Sequence, residues 1–185
     1  MSTMMTPGKW ALDADHSEIS MNVRHAGIAR VRGKFNDVES SLVLHNDGRY
    51  DLEAVIRTDS FDSSSRDRDT HIKSADFLDT EEYPTISFYS AGDNPAGKFF
   101  DMEGELTIRG ISKKVVFDVE YGGEATDPFG ASRAGFIAHA AISRQEFGLT
   151  WNAVLETGGV LVGDKVNIEL SVSYVYDADG ADKDK

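Results

Sequence analysis

No cysteine occurs anywhere in the 185 residues, so disulfide staples, thiol nucleophiles and cysteine metal ligands are excluded from the start. No run of eighteen apolar residues occurs either, and a transmembrane helix is not expected. The opening MSTMMTPGKW has neither a basic start nor an apolar h-region. No secretory signal is read there, and a cytoplasmic location is expected. Basic residues are scarce: 19 Lys and Arg face 32 Asp and Glu, for a net charge of −13. Such a surface repels phosphate backbones and anionic headgroups, which argues against nucleic acid as a partner and against stable membrane insertion. Catalytic spacing is missing too. The histidines at 16, 25, 45, 71 and 139 form no H-x-H or H-E-x-x-H pair, so no metal is expected. No G-x-S-x-G elbow is present. No internal repeat is found, and one domain with a substantial core is the simplest reading of this length.

What the chain has instead is alternation. Ile19, Met21 and Val23 share one face of a segment whose other face carries Ser20, Asn22 and Arg24. That period of two predicts a half-buried strand over 17–25. Further strands are expected over 31–45, 52–58, 85–91, 99–109, 115–121, 136–143 and 166–176, joined at hairpin-like spacings. Gly33 is read as a bulge within the second of them. Eight strands so spaced predict an all-β fold, an antiparallel barrel or sandwich of one domain over 9–177. Residues 1–8 are expected to be a flexible end and 178–185 a disordered acidic tail.

The pattern breaks once, between Asp62 and Phe88. Ser63, Ser64 and Ser65 offer N-cap oxygens. Asp67 and Asp69 follow where the helix dipole favours negative charge. Asp69 and Lys73 are spaced to pair on one helix face. Phe77 and Leu78 supply an apolar anchor, and Pro84 ends the segment. A short helical insertion over about 64–79 is therefore expected as a lid between the third and fourth strands.

The same stretch carries a resemblance. Arg68-Asp69-Thr70-His71-Ile72-Lys73-Ser74-Ala75-Asp76-Phe77, followed by Tyr83-Pro84-Thr85-Ile86-Ser87-Phe88, resembles the central signature of the YceI-like family of lipid-binding proteins. Trp10, Asp15-His16-Ser17, Val23-Arg24-His25 and Val31-Arg32-Gly33-Lys34-Phe35 are similar to its first two strands. Gly104-Glu105-Leu106-Thr107-Ile108-Arg109-Gly110 resembles its hairpin, and Ile142 to Gly148 and Val162 to Val166 its last segments. The resemblance runs from about Trp10 to Tyr176. It implies a lipocalin-like barrel whose interior holds a polyisoprenoid or similar lipid chain.

Alternation alone does not separate a barrel filled by its own side chains from one that holds a slender ligand. The small residues 138, 140 and 141 and the glycines at 27, 33 and 104 leave room for a cavity. Its candidate wall takes Ile19, Met21, Val23 and Phe35 from the first strands, and Phe77 from the lid. Phe88, Phe100, Met102, Leu106 and Phe117 come from the middle strands. Phe136, Ala138, Ala140 and Ile142, Trp151, then Leu170, Val172 and Tyr174 complete it. Arg24, His25, Arg68, His71 and Arg144 are candidates for a rim that meets a polar or anionic headgroup. Each has a structural alternative. Arg68 would pin the lid to strand carbonyls or carboxylates, and Arg24, His25 and Arg144 would form ion pairs at strand ends.

Catalytic residues are not assigned. Asp69 and His71 beside the serines look like part of a triad, but residues two apart on a helix point to different faces. Asp15-His16-Ser17 is read as a strand-entry turn. The function expected is non-enzymatic binding, storage or transport of a long-chain isoprenoid-type lipid, such as a quinone or prenyl phosphate. No cofactor is expected beyond such a lipid, and a homodimer is left open. The alternative is a filled barrel acting as a surface interaction or stress-response module.

Overall fold

A computed structural model describes residues 5–179. In chain order the strands are β1 (Gly8–Leu12), β2 (Glu18–His25), β3 (Ala29–Phe35), β4 (Val38–Leu44), β5 (Arg49–Arg57) and β6 (Phe61–Asp62). The helix α1 (Arg66–Lys73) comes next. Then follow β7 (Thr85–Asp93), β8 (Phe99–Ile108), β9 (Ile111–Thr126), β10 (Ser132–Ser143) and β11 (Val162–Asp177). The order β1-β4-β5-β7-β8-β9-β10-β11 closes on itself through β1 and β11, so eight strands form a complete antiparallel ring. Closure removes the free edges that an open sheet would expose. This is a lipocalin-like barrel, with its helix between the third and fourth long strands as the sequence predicts.

One of the expected strands is broken in two, and one strand, β1, precedes those expected. β1 and β2 run along the same edge of β11, with Leu12 opposite Tyr174 and Glu18 opposite Ser171. A turn at Ala14–His16 separates them. Their neighbour, expected as one strand over 31–45, bends at Asn36 and Asp37 into β3 and β4. β4 continues the ring by pairing β5. β3 leaves it: β3 pairs β2 on one side, and on the other only the two-residue β6, with Phe35 opposite Phe61. The wall is therefore parted at one end, and the segment carrying α1 lies there.

The kink between β1 and β2 is held by charge. Asp13 accepts from Arg133 Nη1, and Arg133 Nε donates to Asp127 at 2.8 Å. The hydrogen bond from Arg133 holds the Asp13 carboxyl below its ordinary 3.8, and the same guanidinium lowers Asp127. A carboxyl depressed by folding adds stability above its unfolded pKa, and that stability is lost as pH falls through the folded value. Asp13→Asn should thus lose stability at neutral pH while its melting temperature falls less steeply than the parent's below about pH 4. Thermal melts across pH 3–7 check this; parallel acid limbs would remove Asp13 from the account.

The end of the barrel away from α1 is closed by a cluster of Trp10, Leu42, Leu44, Tyr50, Tyr121, Ala134 and Tyr174. Trp10 is fully buried, and its indole N–H donates to the Thr6 carbonyl at 3.0 Å. Residues 5–8, expected as part of a loose end, are fixed here. Met5 is buried in that cluster, Thr6 bonds Glu124 and Gly8 pairs with Leu44. The sequence missed them because a single buried side chain in a short segment has no period. The expected tail lies mostly outside the described residues, as do residues 1–4 of the expected flexible end.

The glycines do not enlarge the interior. Gly33 sits in continuous register with Met21, without a bulge, and the Phe61 ring occupies the space its side chain would take. Gly104 makes the same room for the Phe88 ring, and a Cβ there would also lie 2.7 Å from the Tyr89 carbonyl oxygen. A ring can turn aside, but a backbone carbonyl in a ladder cannot. Gly104→Ala should therefore cost about 1–3 kcal/mol, and Gly33→Ala less. Denaturant titration of the pair measures the difference; equal losses would mean that the carbonyl contact is irrelevant.

Candidate functional site

Inside the ring lies a cavity of about 380 Å³. An eight-stranded barrel is just wide enough for its own side chains or for one slender ligand, and this one is hollow. Its floor is set by Leu12, Leu42, Leu52, Val172 and Tyr174, and its walls by the inward residues of β2, β7, β8, β9, β10 and β11. Met21 faces Ile168 across β2 and β11, and Ala138 faces Leu170 across β10 and β11, so one register carries the apolar face round the barrel.

Ile19, Met21, Val23, Phe35, Phe77, Phe88, Met102, Leu106 and Phe117 all border this space. So do Phe136, Ala138, Ile142, Trp151, Leu170, Val172 and Tyr174. Two candidates do not. Phe100 lies in the smaller recess at the closed end beside Met5 and Tyr121. Ala140 is half-buried and packs against the core cluster that includes Phe61, Phe117 and Phe147. Leu149 and Leu161 border the cavity and were not read from the sequence. They belong to a segment without alternation, and the sequence gives no signal for them.

Polar groups in the wall are committed to the wall. Ser20 donates to the Glu169 carbonyl at 3.1 Å and Ser40 to the Glu53 carbonyl at 2.7 Å. With the Ser40 proton so used, the 2.8 Å contact between Ser40 Oγ and the Tyr174 hydroxyl is donated by the tyrosine. Burial pushes the Tyr174 pKa up to about 12, so that proton stays in place at physiological pH. Below the rim the lining therefore offers hydrocarbon, and its hydroxyl donors are already used.

The cavity opens where α1, the β2–β3 hairpin and the segment 149–162 meet. Ser65 caps α1 by accepting from the Arg68 N–H at 3.4 Å. Asp69 does not pair with Lys73 as expected. Its carboxylate accepts from the Ser63 N–H at 2.8 Å and hydroxyl at 2.6 Å, which ties the helix to β6. Phe77 and Leu78, just after the helix, are buried. Phe77 lies 5.4 Å from the Trp151 ring and 5.1 Å from that of His71. His71 in turn meets Trp151 edge-on at 4.6 Å and reaches Asp76 at 2.9 Å.

The five rim candidates separate here. Arg24, His25, Arg68, His71 and Arg144 all border the mouth. Arg144 is buried, and it bonds not a carboxylate but the carbonyls of Gly163, Leu149, Trp151 and Val162. Its pKa is lowered by burial, and its guanidinium staples the segment 149–163 to the barrel. The pinning role expected of Arg68 falls instead to Arg109, whose Nη1 donates to the carbonyls of Ala75 and Phe77. Arg24 and Arg68 are exposed and form no side-chain ion pair or hydrogen bond among the described residues. They are the cations at the mouth left available to a ligand. Asp69 and His71 hold different partners and do not form a triad. Among the described residues no cluster of His, Asp and Glu could hold a metal ion.

The fold and site together define a closed antiparallel barrel with an apolar cavity and arginines at its mouth. The profile of the YceI-like domain matches residues 10–174, and the chain belongs to that family. It is 33% identical over 172 residues to a UPF0312 protein of Staphylococcus epidermidis, covering 91% of this chain and 98% of the relative. A UPF0312 protein of Staphylococcus aureus is 31% identical over 168 residues, covering 89% and 96%. Among solved structures, the Campylobacter jejuni YceI protein superposes with a TM-score of 0.69 at 27% identity, covering 83% of this chain and 90% of that one. Burkholderia cenocepacia BcnA shares the fold with a TM-score of 0.74 at 21% identity, over 88% and 98%. A polyisoprenoid binding domain from Saccharophagus degradans, implicated in plant cell wall breakdown, shares it with a TM-score of 0.71 at 13% identity, over 91% and 98%.

Proposed function

We propose that this barrel binds a long-chain isoprenoid-type lipid, a quinone or a prenyl phosphate, and stores or carries it without chemical change. The observation that supports this reading most is the wall: a cavity of about 380 Å³ with apolar side chains on every strand and its hydroxyl protons already committed. A dry apolar cavity of about 150 Å³ is enough to bind benzene, and this one is more than twice that. The polyisoprenoid binding domain that shares the fold supports the choice of ligand class.

Apolar burial contributes roughly 0.8 kcal/mol per CH₂, so one five-carbon isoprene unit gains a few kcal/mol gross. An exposed ion pair at the mouth adds only about 1 kcal/mol. The tail therefore sets affinity and the head sets orientation. Organic extraction of the purified protein, followed by mass spectrometry, tests the proposal. A stoichiometric long-chain species is expected. An empty extract from a folded protein that also excludes apolar dyes would reject it in favour of an interaction module.

A further inference from the structure

Among the described residues, the two most exposed large aliphatic side chains both stand beside the mouth. Ile28, at the tip of the β2–β3 hairpin, is 90% exposed, and Val154, in the segment 149–162, is 84% exposed. Val160, bridged to Val154, is 51% exposed. The two tips are tied together, because the Ala26 N–H donates to the Leu161 carbonyl at 2.7 Å. Leu161 borders the cavity, so the exposed tips continue directly into its apolar wall.

The charge beside these tips is the reverse of the whole chain's. The protein carries −13 overall, yet no acidic residue occurs between Glu18 and Asp37. Arg24, Arg30, Arg32 and Lys34 all fall within that interval. Arg24 stands directly opposite Arg30 in the hairpin register. Like charges in that position are unfavourable unless an anion joins them. Arg24, Arg30 and Arg32 have no side-chain ion pair or hydrogen bond among the described residues. Other charges at this end offset one another more evenly. α1 carries Arg66, Arg68 and Lys73 together with Asp67 and Asp69, while Glu156 and Asp164 border the other loop. Phe129, which is 95% exposed, provides a contrast: its N–H bonds the Asp127 carboxylate at 2.9 Å.

We infer that the mouth docks on the surface of an anionic phospholipid bilayer, with Ile28 and Val154 entering the headgroup boundary and the hairpin arginines on lipid phosphates. A bilayer fits better than an acidic protein partner because the apolar groups are separate projecting tips around an opening, with no continuous groove for a peptide. Seated this way, the cavity would face the acyl region, and a lipid could pass without its tail crossing water. The net charge does not oppose this. Screening extends only about 8 Å at physiological ionic strength, so distant acids act weakly at the contact while they disfavour other orientations and keep the docking reversible. The inference deepens the lipid-binding reading and rests on it for the cargo.

Flotation with vesicles of phosphatidylcholine, with and without phosphatidylglycerol, tests the docking directly. The full chain should float with the anionic vesicles, less so as salt rises, and far less with phosphatidylcholine alone. Each arginine at an anionic surface strengthens binding by roughly fivefold. The double variant Arg30→Glu/Arg32→Glu should thus weaken it by at least about 25-fold. Ile28→Asp should reduce flotation at least tenfold, and Phe129→Asp should leave it unchanged. Both side chains are exposed, and circular dichroism checks that each variant folds. Loss of binding by Phe129→Asp equal to that by Ile28→Asp, or no flotation of the parent, overturns the inference. Uptake of an apolar dye without vesicles separates this from the cavity reading. Ile28→Asp should take up dye like the parent, and dye exclusion by a parent that floats would count against the cavity alone.

Discussion

Phe77→Ala is expected to lower stability by about 3–5 kcal/mol, the cost of deleting a buried phenyl ring. For a domain of this size that corresponds to a fall of roughly 6–20 °C in melting temperature. Phe77 holds three parts of the mouth together. Its ring meets His71 of α1 and Trp151 of the opposite segment, and its carbonyl accepts from Arg109 at 2.6 Å. The Arg144 guanidinium lies 6.0 Å from the same ring. Truncation leaves a void that joins the existing cavity, so the site cannot collapse to recover the lost contacts. The loss should also be local in effect, with amide exchange rising in 66–83 and 149–161 ahead of the barrel strands. A variant that melts like the parent would show that the lid is anchored elsewhere, through Leu78 or Arg109.

The barrel was legible in the sequence because alternation is a direct consequence of strand geometry. Ile19, Met21 and Val23 could be placed on one face without knowing what they packed against. The lid was legible for a different reason, since Ser65, Phe77 and Pro84 mark where a helical segment starts, anchors and stops. What stayed hidden depends on contacts between distant segments. Asn36 and Asp37 give no local sign that β3 leaves the ring, because only the pairing of Phe35 with Phe61 reveals it. Gly33 and Gly104 read as open space, although each was made small by one neighbouring ring. Arg144 and Arg68 are the same residue type in similar company, yet one is buried against four carbonyls and the other is exposed. Charge type can be read from sequence, but the partner that uses it cannot.

The largest effect on ligand uptake is expected from Ala138→Glu. Ala138 is 6% exposed, borders the cavity and lies opposite Val119 and Leu170 in the adjoining strands. A glutamate there puts a carboxylate among hydrocarbon with no cation in reach along either strand. An unpaired buried charge of this kind is neutralised or drags in water, and either outcome opposes an apolar tail. Lipid uptake should be abolished. Because the same charge threatens folding, Ala138→Leu is the companion variant. It adds only apolar volume to an existing space, so the barrel should remain folded while the tail loses room. Arg68→Ala should behave differently, weakening by about 1 kcal/mol the binding of a lipid with a diphosphate head and leaving the matching alcohol unaffected. Titration of the two lipids against all three variants decides between tail and head. If Arg68→Ala abolished both affinities in a folded protein while Ala138→Leu changed neither, the rim would be the main site and tail burial a minor contribution. The distribution of apolar surface favours the opposite result: every strand of the ring adds hydrocarbon to the interior, whereas Arg68 adds one exposed charge that solvent screens.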